Sequence, residues 1–91
     1  MDHKNSIRIA GEVKRLLELP AGVFAFELWS HNEEPDVDKY MVLIVKCADP
    51  LAREVKEKIK IGGQVSAVGK LFRSGNGLLV SADKVEFRWT S

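Results

Sequence analysis

One segment with helical periodicity interrupts a chain whose other apolar residues alternate, and no other feature restricts the possible folds as strongly. Between residues 49 and 63, apolar residues recur at four-residue spacing: Leu51, Val55 and Ile59. This spacing places them along one stripe of a short amphipathic helix. Asp49-Pro50 is expected to begin that helix, with Asp49 capping free backbone N–H groups and Pro50 in the first helical position. Gly62-Gly63 is expected to end it, so we predict a helix over about residues 50–60.

Alternation of apolar and polar residues, which is typical of half-buried strands, fills the rest of the chain. We predict three strands before the helix and two after it, over about residues 6–19, 22–31, 39–47, 64–73 and 78–88. In the second strand, every second residue belongs to a core face: Phe24, Phe26 and Leu28. Gly11 is expected at a strong bend, where the first strand serves two sides of a small barrel. Tight turns are predicted at Pro20-Ala21-Gly22 and at residues 74–77.

The order of these elements selects among the small folds. Three strands, one helix and a final hairpin match the OB-fold, whereas an SH3-like barrel lacks the helix and a ferredoxin-like fold needs a second one. We therefore predict an all-β protein, a five-stranded Greek-key OB-fold barrel with one short helix between strands 3 and 4. A length of 91 residues suits one domain, so we expect a single OB-fold domain over residues 1–91.

Composition restricts the function less than the fold. Fourteen basic and thirteen acidic residues give a net charge of +1, which neither favours nor excludes a nucleic-acid partner. The first six residues are polar and no run approaches a membrane span, so we expect a cytoplasmic protein without a membrane partner. Cys47 is the only cysteine. It excludes an internal disulfide and is expected to be a small buried hydrophobic residue.

The sequence offers little for catalysis. His3 lies near the N-terminus and His31 at a strand end, and neither belongs to a nucleophile or metal-ligand pattern. The glycines at 75 and 77 are not followed by the Gly-Lys-Ser/Thr of a phosphate loop. We therefore expect a protein that is not an enzyme and has no metal or other cofactor.

Several segments resemble bacterial single-stranded-DNA-binding proteins (SSB). The helix and fourth strand carry the family's spacing in residues 51–55, 59–65 (Ile-Lys-Ile-Gly-Gly-Gln-Val) and 68–71 (Val-Gly-Lys-Leu). Residues 7–13 and 24–28 resemble the family's first two strands. A second resemblance is to primosomal replication protein N, an SSB-like dimer of replication restart. It covers residues 26–31, which lead into an acidic loop, and residues 76–78 and 82–87.

These resemblances imply non-enzymatic binding of single-stranded DNA in replication, replication restart or repair. They also imply a homo-oligomer, either a dimer or a tetramer, with replication or restart proteins as further partners. The chain ends at Trp89-Thr90-Ser91 without the acidic tail and apolar tip of SSB proteins that recruit partners. The resemblance therefore favours a small accessory protein of the primosomal type over a general hub.

Two outward aromatic residues are the first candidates for stacking on bases, since OB-folds bind on strands two and three and their flanking loops. Trp29 has the parity opposite to the Phe face; it can stack on bases or be covered by a partner or loop. Tyr40 matches the position of a stacking tryptophan in SSB. This match places Val42, Ile44 and Lys46 outward, and it places four residues inward: Met41, Leu43, Val45 and Cys47. Lys46 stands where SSB has a second stacking aromatic and is expected to contact phosphate.

The remaining candidates are one aromatic residue, Phe72, and a series of cations along the phosphate path: Arg8, Lys14, Arg15, Lys39, Lys70 and Arg73. Trp89 is expected to pack at a barrel end. An acidic stretch opposes this model, because it is expected to repel phosphate or to remain a solvated loop: Glu33, Glu34, Asp36 and Asp38. Two alternatives stay open, an OB module that binds protein through the apolar third strand, and binding of single-stranded RNA.

Overall fold

The computed structural model describes residues 6–31, 40–75 and 77–88, and the side chains of all of these except His31, Tyr40 and Ser74. The described chain forms five strands and one helix, in the order β1 (Ser6–Leu19), β2 (Val23–His31), β3 (Tyr40–Ala48), α1 (Leu51–Lys58), β4 (Gln64–Ser74) and β5 (Gly77–Arg88). The strands close into a barrel in the order β1-β2-β3-β5-β4. β3 and β5 are parallel, and the other four pairings are antiparallel. The predicted fold class, an OB-fold barrel with a helix between the third and fourth strands, is confirmed.

Strand β1 serves two sides of the barrel, as the glycine in its middle predicted. Residues 6–12 pair with β4, and residues 12–19 pair with β2. At the change of partner, a Cβ atom on Gly11 would lie 2.3 Å from the backbone oxygen of Trp29. Only glycine lets the two backbones approach this closely.

The core lies inside the barrel and under α1. The predicted core face of β2 is confirmed, because Phe24, Phe26 and Leu28 are all buried. From β3, three of the four residues expected inward are buried: Leu43, Val45 and Cys47. Burial raises the pKa of the Cys47 thiol to about 11, so this side chain behaves as the small hydrophobic residue that was expected.

The inward assignment of Met41 is wrong, since its side chain is 45% exposed. Met41 pairs with Ser30 of β2, but the pairing of β3 with β5 begins only at Leu43. Alternation along a strand therefore predicts burial only where the barrel is closed on both sides of that strand.

The helix is shorter than expected and begins differently. Pro50 is the N-cap residue, and no side chain makes a capping hydrogen bond, so the capping role assigned to Asp49 is wrong. The helix ends at Lys58, and Ile59 is already extended. Gly62-Gly63 therefore does not end it. Instead, the N–H of Gly62 donates to the oxygen of Val13 at 2.7 Å, and the oxygen of Gly63 accepts from the N–H of Val13 at 2.9 Å, which ties this turn to β1.

The buried residues of α1, Ala52 and Val55, belong to the same core cluster as the strand residues. The first residue of the expected stripe, Leu51, is half-buried against that cluster, and Ile59 is buried just beyond the helix. α1 thus covers one side of the barrel and leaves the outer surfaces of the strands open. Within the described ranges, no helix has the length and apolar character needed to cross a membrane.

Candidate nucleic-acid interface

The cross-strand register places an apolar row on the outer surface of three adjacent strands. Ile44 of β3 pairs with Leu79 of β5, and Leu79 pairs with Phe72 of β4. Directly paired residues project from the same side of a sheet. Phe72 is 44% exposed, and Ile44 and Leu79 are half-buried. We call these three residues the apolar row; it presents one aromatic ring and two aliphatic side chains to the surroundings.

A second row, the lysine row, runs beside the apolar row on the same surface. Lys46 of β3 pairs with Ser81 of β5, and Ser81 pairs with Lys70 of β4. All three side chains are exposed. Each residue lies two positions along its strand from a member of the apolar row, so the rows are about 7 Å apart. The surface thus carries a strip of cations parallel to a strip that bases can contact.

The cations of the lysine row lack the counter-charges that many other cations of the described surface have. Six other cations lie within ion-pair distance of carboxylates: Arg8–Glu86, Lys14–Glu12, Arg15–Glu27, Lys56–Glu18, Lys58–Glu54 and Lys84–Glu86. Among the described residues, neither Lys46 nor Lys70 has such a partner. As far as the described residues go, both ammonium groups are therefore open to an anion from outside the chain.

Trp29 lies on the outer surface of β2, as its parity predicted, but it is half-buried and held in place. Its Nε1–H donates to Oε2 of Glu27 at 2.8 Å, and the ammonium of Lys14 lies 5.0 Å from the ring centroid. Glu27 uses its other oxygen, Oε1, to pair with Nε of Arg15 at 3.2 Å. A base that stacks on the ring face under Lys14 must first displace that ammonium.

Among the cations of β1, Arg8 lies beside the lysine row, diagonal to Lys70 across the β1–β4 pairing, whereas Lys14 lies beyond the bend of the strand. Lys14 lies 3.4 Å from a carboxylate oxygen of Glu12 as well as near Trp29. Arg8 pairs with Glu86, whose carboxyl pKa is lowered by Lys84 first and by Arg8 second. Arg8 is six residues from Lys14 along β1, a distance of about 20 Å. Carboxylates therefore accompany these cations of β1, and their predicted role along a phosphate path stays a prediction.

The hairpin between β4 and β5 carries one further cation near its tip, with the parity opposite to that of Phe72. Arg73 is exposed and pairs in register with Leu78. It lines a shallow cleft of about 260 Å³ together with Leu78 and the glycines at 75 and 77. The described residues include no carboxylate within ion-pair distance of Arg73, so this guanidinium is also available to phosphate.

Other predicted residues lie outside what the structure describes. Tyr40 is the first residue of β3 and pairs through its backbone with His31, but its side chain is not described. Lys39, Trp89 and the acidic stretch over residues 33–38 fall outside the described residues. Their roles remain predictions from the sequence.

Sequence reasoning missed Leu79, Ser81 and Glu27 as members of this surface. The alternation in β5, with Leu78 and Val80 facing inward, could have shown that Leu79 and Ser81 face outward. Their neighbours across the sheet depend on the pairing of β3 with β5, which is not encoded locally. For Glu27, the outward parity was visible, whereas its hydrogen bond to Trp29 was not.

A separate cleft of about 350 Å³ lies between α1 and the turn after β1, away from both rows. Its charged lining is mixed, with two carboxylates and two cations: Glu18, Asp49, Arg53 and Lys56. Glu18 and Lys56 form an ion pair at 2.8 Å, and this lysine lowers the pKa of the Glu18 carboxyl. Over the described ranges, no three His, Cys, Asp or Glu residues are grouped as metal ligands would be.

Comparison with known proteins gives solved structures of the same fold. No protein-family model and no curated protein sequence matches the chain. A small single-stranded DNA-binding protein from Streptomyces coelicolor superposes with a TM-score of 0.78 at 19% identity, over 91% of this chain and 90% of that one. The second such protein of Mycobacterium smegmatis gives 0.72 at 22% identity, over 91% and 87%.

The mitochondrial single-stranded DNA-binding protein Rim1 from S. cerevisiae gives a TM-score of 0.78 at 12% identity, with both chains covered completely. At sequence identities of 12–22%, the similarity shows a shared fold. The chain is thus an OB-fold barrel similar in structure to small single-stranded DNA-binding proteins.

Proposed function

We propose that this protein binds single-stranded DNA without catalysis, on the outer surface of β3, β5 and β4. The observation that carries the proposal is the pair of parallel rows. Phosphates bind along the lysine row, and bases contact the apolar row about 7 Å away. Such a surface suits single strands, because only unpaired bases can turn their faces to a protein.

Phe72 is the main stacking residue of this surface. Its ring is 44% exposed, and it lies between Lys70 and Arg73 in the chain. Stacking of a base on an aromatic side chain contributes about 1–3 kcal/mol. Trp29 contributes where a base replaces the ammonium of Lys14 over its ring. Tyr40 and Lys39, at the start of β3, extend the proposed site beyond the described side chains.

The similar structures support this proposal, since all three reported above are of single-stranded DNA-binding proteins. We further propose that the protein acts in the cytoplasm in replication, replication restart or repair, as a small accessory protein of the primosomal type. Exposed apolar side chains outside the two rows favour a homo-oligomer, a dimer or a tetramer: Leu16, Leu19 and Met41.

Fluorescence anisotropy of a labelled oligo(dT) tests the proposal, with the protein titrated at low and moderate salt. We expect saturable binding that is much weaker for duplex DNA. Phe72→Leu should weaken binding about tenfold, since it removes the stacking surface but keeps an apolar side chain. Ile61→Ala serves as the control, because Ile61 is 65% exposed but lies outside both rows and outside the apolar side chains that favour an oligomer. An absence of oligo(dT) binding at low salt would refute the proposed function.

A protein-binding module is the second candidate, and the exposed apolar side chains of β3 favour it. Val42 is 44% exposed on the outer surface of β3 and pairs with the half-buried Trp29, and adjoining apolar side chains at a surface mark interaction sites. Light scattering and oligo(dT) titration of the Val42→Lys variant separate two roles of this side chain, contact between copies and contact with DNA. If Val42 lies in an interface between copies, the variant loses mass; if the surface binds DNA, the mass stays and oligo(dT) affinity changes. Titration with oligo(U) in parallel measures the preference between DNA and RNA.

A further inference from the structure

We propose that Ser81 is a phosphate-binding residue, which holds one internucleotide phosphate together with Lys46 and Lys70. This inference rests on the single-stranded DNA binding proposed above and names a residue that the sequence did not indicate. Ser81 is the middle member of the lysine row, paired with Lys46 on one side and Lys70 on the other.

The register brings three hydrogen-bond donors together. The Cα atoms of Lys46 and Lys70 are two strand spacings apart, about 10 Å, with Ser81 between them. Both lysine side chains are long and flexible enough to lean toward the middle strand, where the short serine side chain leaves space above the sheet. A phosphate above Ser81 can therefore accept hydrogen bonds from two ammonium groups and from the serine hydroxyl.

The local backbone also favours Ser81 in this position. A Cβ atom on Gly69 would lie 2.1 Å from the backbone oxygen of Ser81, so β4 and β5 approach closely at this point. The β4–β5 register shifts between Val68 and Gly69. Such bulges redirect the side chains beside them. The extra residue is Asp83 of β5, and Lys70 and Ser81 form the second pair after it, next to the pair of Gly69 with Ala82.

Charge distinguishes this serine from others on the surface. Two cations flank it, and the described residues place no carboxylate within ion-pair distance of either lysine. Two neighbouring cations without a counter-charge repel each other until an anion binds between them. A phosphodiester can be this anion, because it carries one negative charge and two unesterified oxygens that accept hydrogen bonds.

The experiment compares Ser81→Thr with Ser81→Val. Threonine and valine have nearly the same shape and both suit a strand, but only threonine keeps the hydroxyl. We expect Ser81→Val to bind oligo(dT) about threefold to tenfold more weakly than Ser81→Thr, the effect of one hydrogen bond. The salt dependence of binding should be the same for both, since neither substitution changes the charge. Circular dichroism and thermal unfolding check that both variants fold.

Each variant is then combined with Lys70→Met and, as a control, with Lys84→Met. Lys84 is also exposed but pairs with Glu86 at 3.2 Å, outside the lysine row. The measured quantity is the ratio of the oligo(dT) affinities of the Ser81→Thr and Ser81→Val proteins. If Ser81 and Lys70 hold the same phosphate, this ratio should fall toward one when Lys70→Met is added to both proteins. It should stay unchanged when Lys84→Met is added instead. Equal affinities of the two Ser81 variants in the wild-type background would overturn the role of Ser81 and leave DNA binding intact. Failure of the wild-type protein to bind oligo(dT) would instead overturn the proposed function, and this inference with it.

Discussion

The salt dependence of DNA binding is the property for which the structure gives the most direct number. Three cations on or beside the binding surface have no carboxylate partner among the described residues: Lys46, Lys70 and Arg73. For single strands, the slope of log affinity against log salt is about −0.7 per neutralised phosphate, so three contacts give about −2.1. Between 50 and 200 mM salt, a fourfold change, affinity should fall about 18-fold.

Lys70→Met removes one of these contacts. The slope should then change to about −1.4, and the loss of affinity over the same salt range to about sevenfold. Methionine keeps much of the length of the lysine side chain, so packing on the strand changes little. Lys84→Met is the matched control, because the ammonium of Lys84 is already paired with Glu86 and releases no counterion on binding.

The assay is a series of anisotropy titrations with labelled oligo(dT) at four or more salt concentrations, at constant pH and temperature. The assembly state is checked by light scattering at each salt concentration, because dissociation of an oligomer would also change the apparent affinity. An unchanged slope for Lys70→Met, or an equal change for Lys84→Met, would show that the lysine row is not the phosphate path. A wild-type slope near zero would contradict the electrostatic argument as a whole.

Further predictions concern the barrel and its ion pairs. Gly11→Ala should destabilise the fold by about 1–3 kcal/mol in urea unfolding, because the new Cβ would overlap a backbone oxygen of β2. For Gly62→Ala, the new Cβ meets no atom within 4 Å, but the residue has a φ of +90°. This variant should lower the free energy of unfolding by about 1 kcal/mol. Cys47 should react with thiol reagents at neutral pH only on unfolding, since it is fully buried and its pKa is raised to about 11; rapid labelling of the folded protein would contradict this. The pKa of the Glu18 carboxyl is lower in the folded protein than in the unfolded chain. Its ion pair with Lys56 therefore stabilises the fold at pH values above the pKa of the unfolded chain, and this contribution is lost as pH falls through the pKa of the folded protein. Glu18→Gln should remove this contribution to the acid dependence of the melting temperature and leave the contributions of the other carboxyl groups.

Periodicity predicted much of the fold because burial follows it wherever the barrel is closed. The alternation of Phe24, Phe26 and Leu28 is strong, and all three residues are buried. Met41 has the same parity as Leu43, but it lies beyond the point where β3 meets β5. Asp49 has a high local preference for capping a helix, yet the helix begins at Leu51 without a side-chain cap. Local preference thus identified the elements but not the details of their ends.

The candidate site was less predictable, because it depends on contacts between distant segments. Parity indicated the outward position of Phe72, and the match of Tyr40 to a stacking position of SSB indicated that of Lys46. No local pattern brings Lys46 beside Ser81, which is 35 positions further along the sequence. Likewise, the pairing of Arg8 with Glu86 depends on barrel closure, so no local pattern showed that a carboxylate accompanies Arg8.

The nearly neutral composition, uninformative by itself, is consistent with nucleic-acid binding once charges are placed on the surface. A net charge of +1 describes the whole chain, whereas a strand of DNA responds to the potential of the surface that it approaches. Carboxylates offset cations on β1, α1 and the C-terminal part of β5, as in the pairs Lys58–Glu54 and Lys84–Glu86. The lysine row keeps its charge because no described carboxylate reaches it. A few uncompensated cations also limit the number of counterions released, so binding should be moderate in affinity and readily reversed.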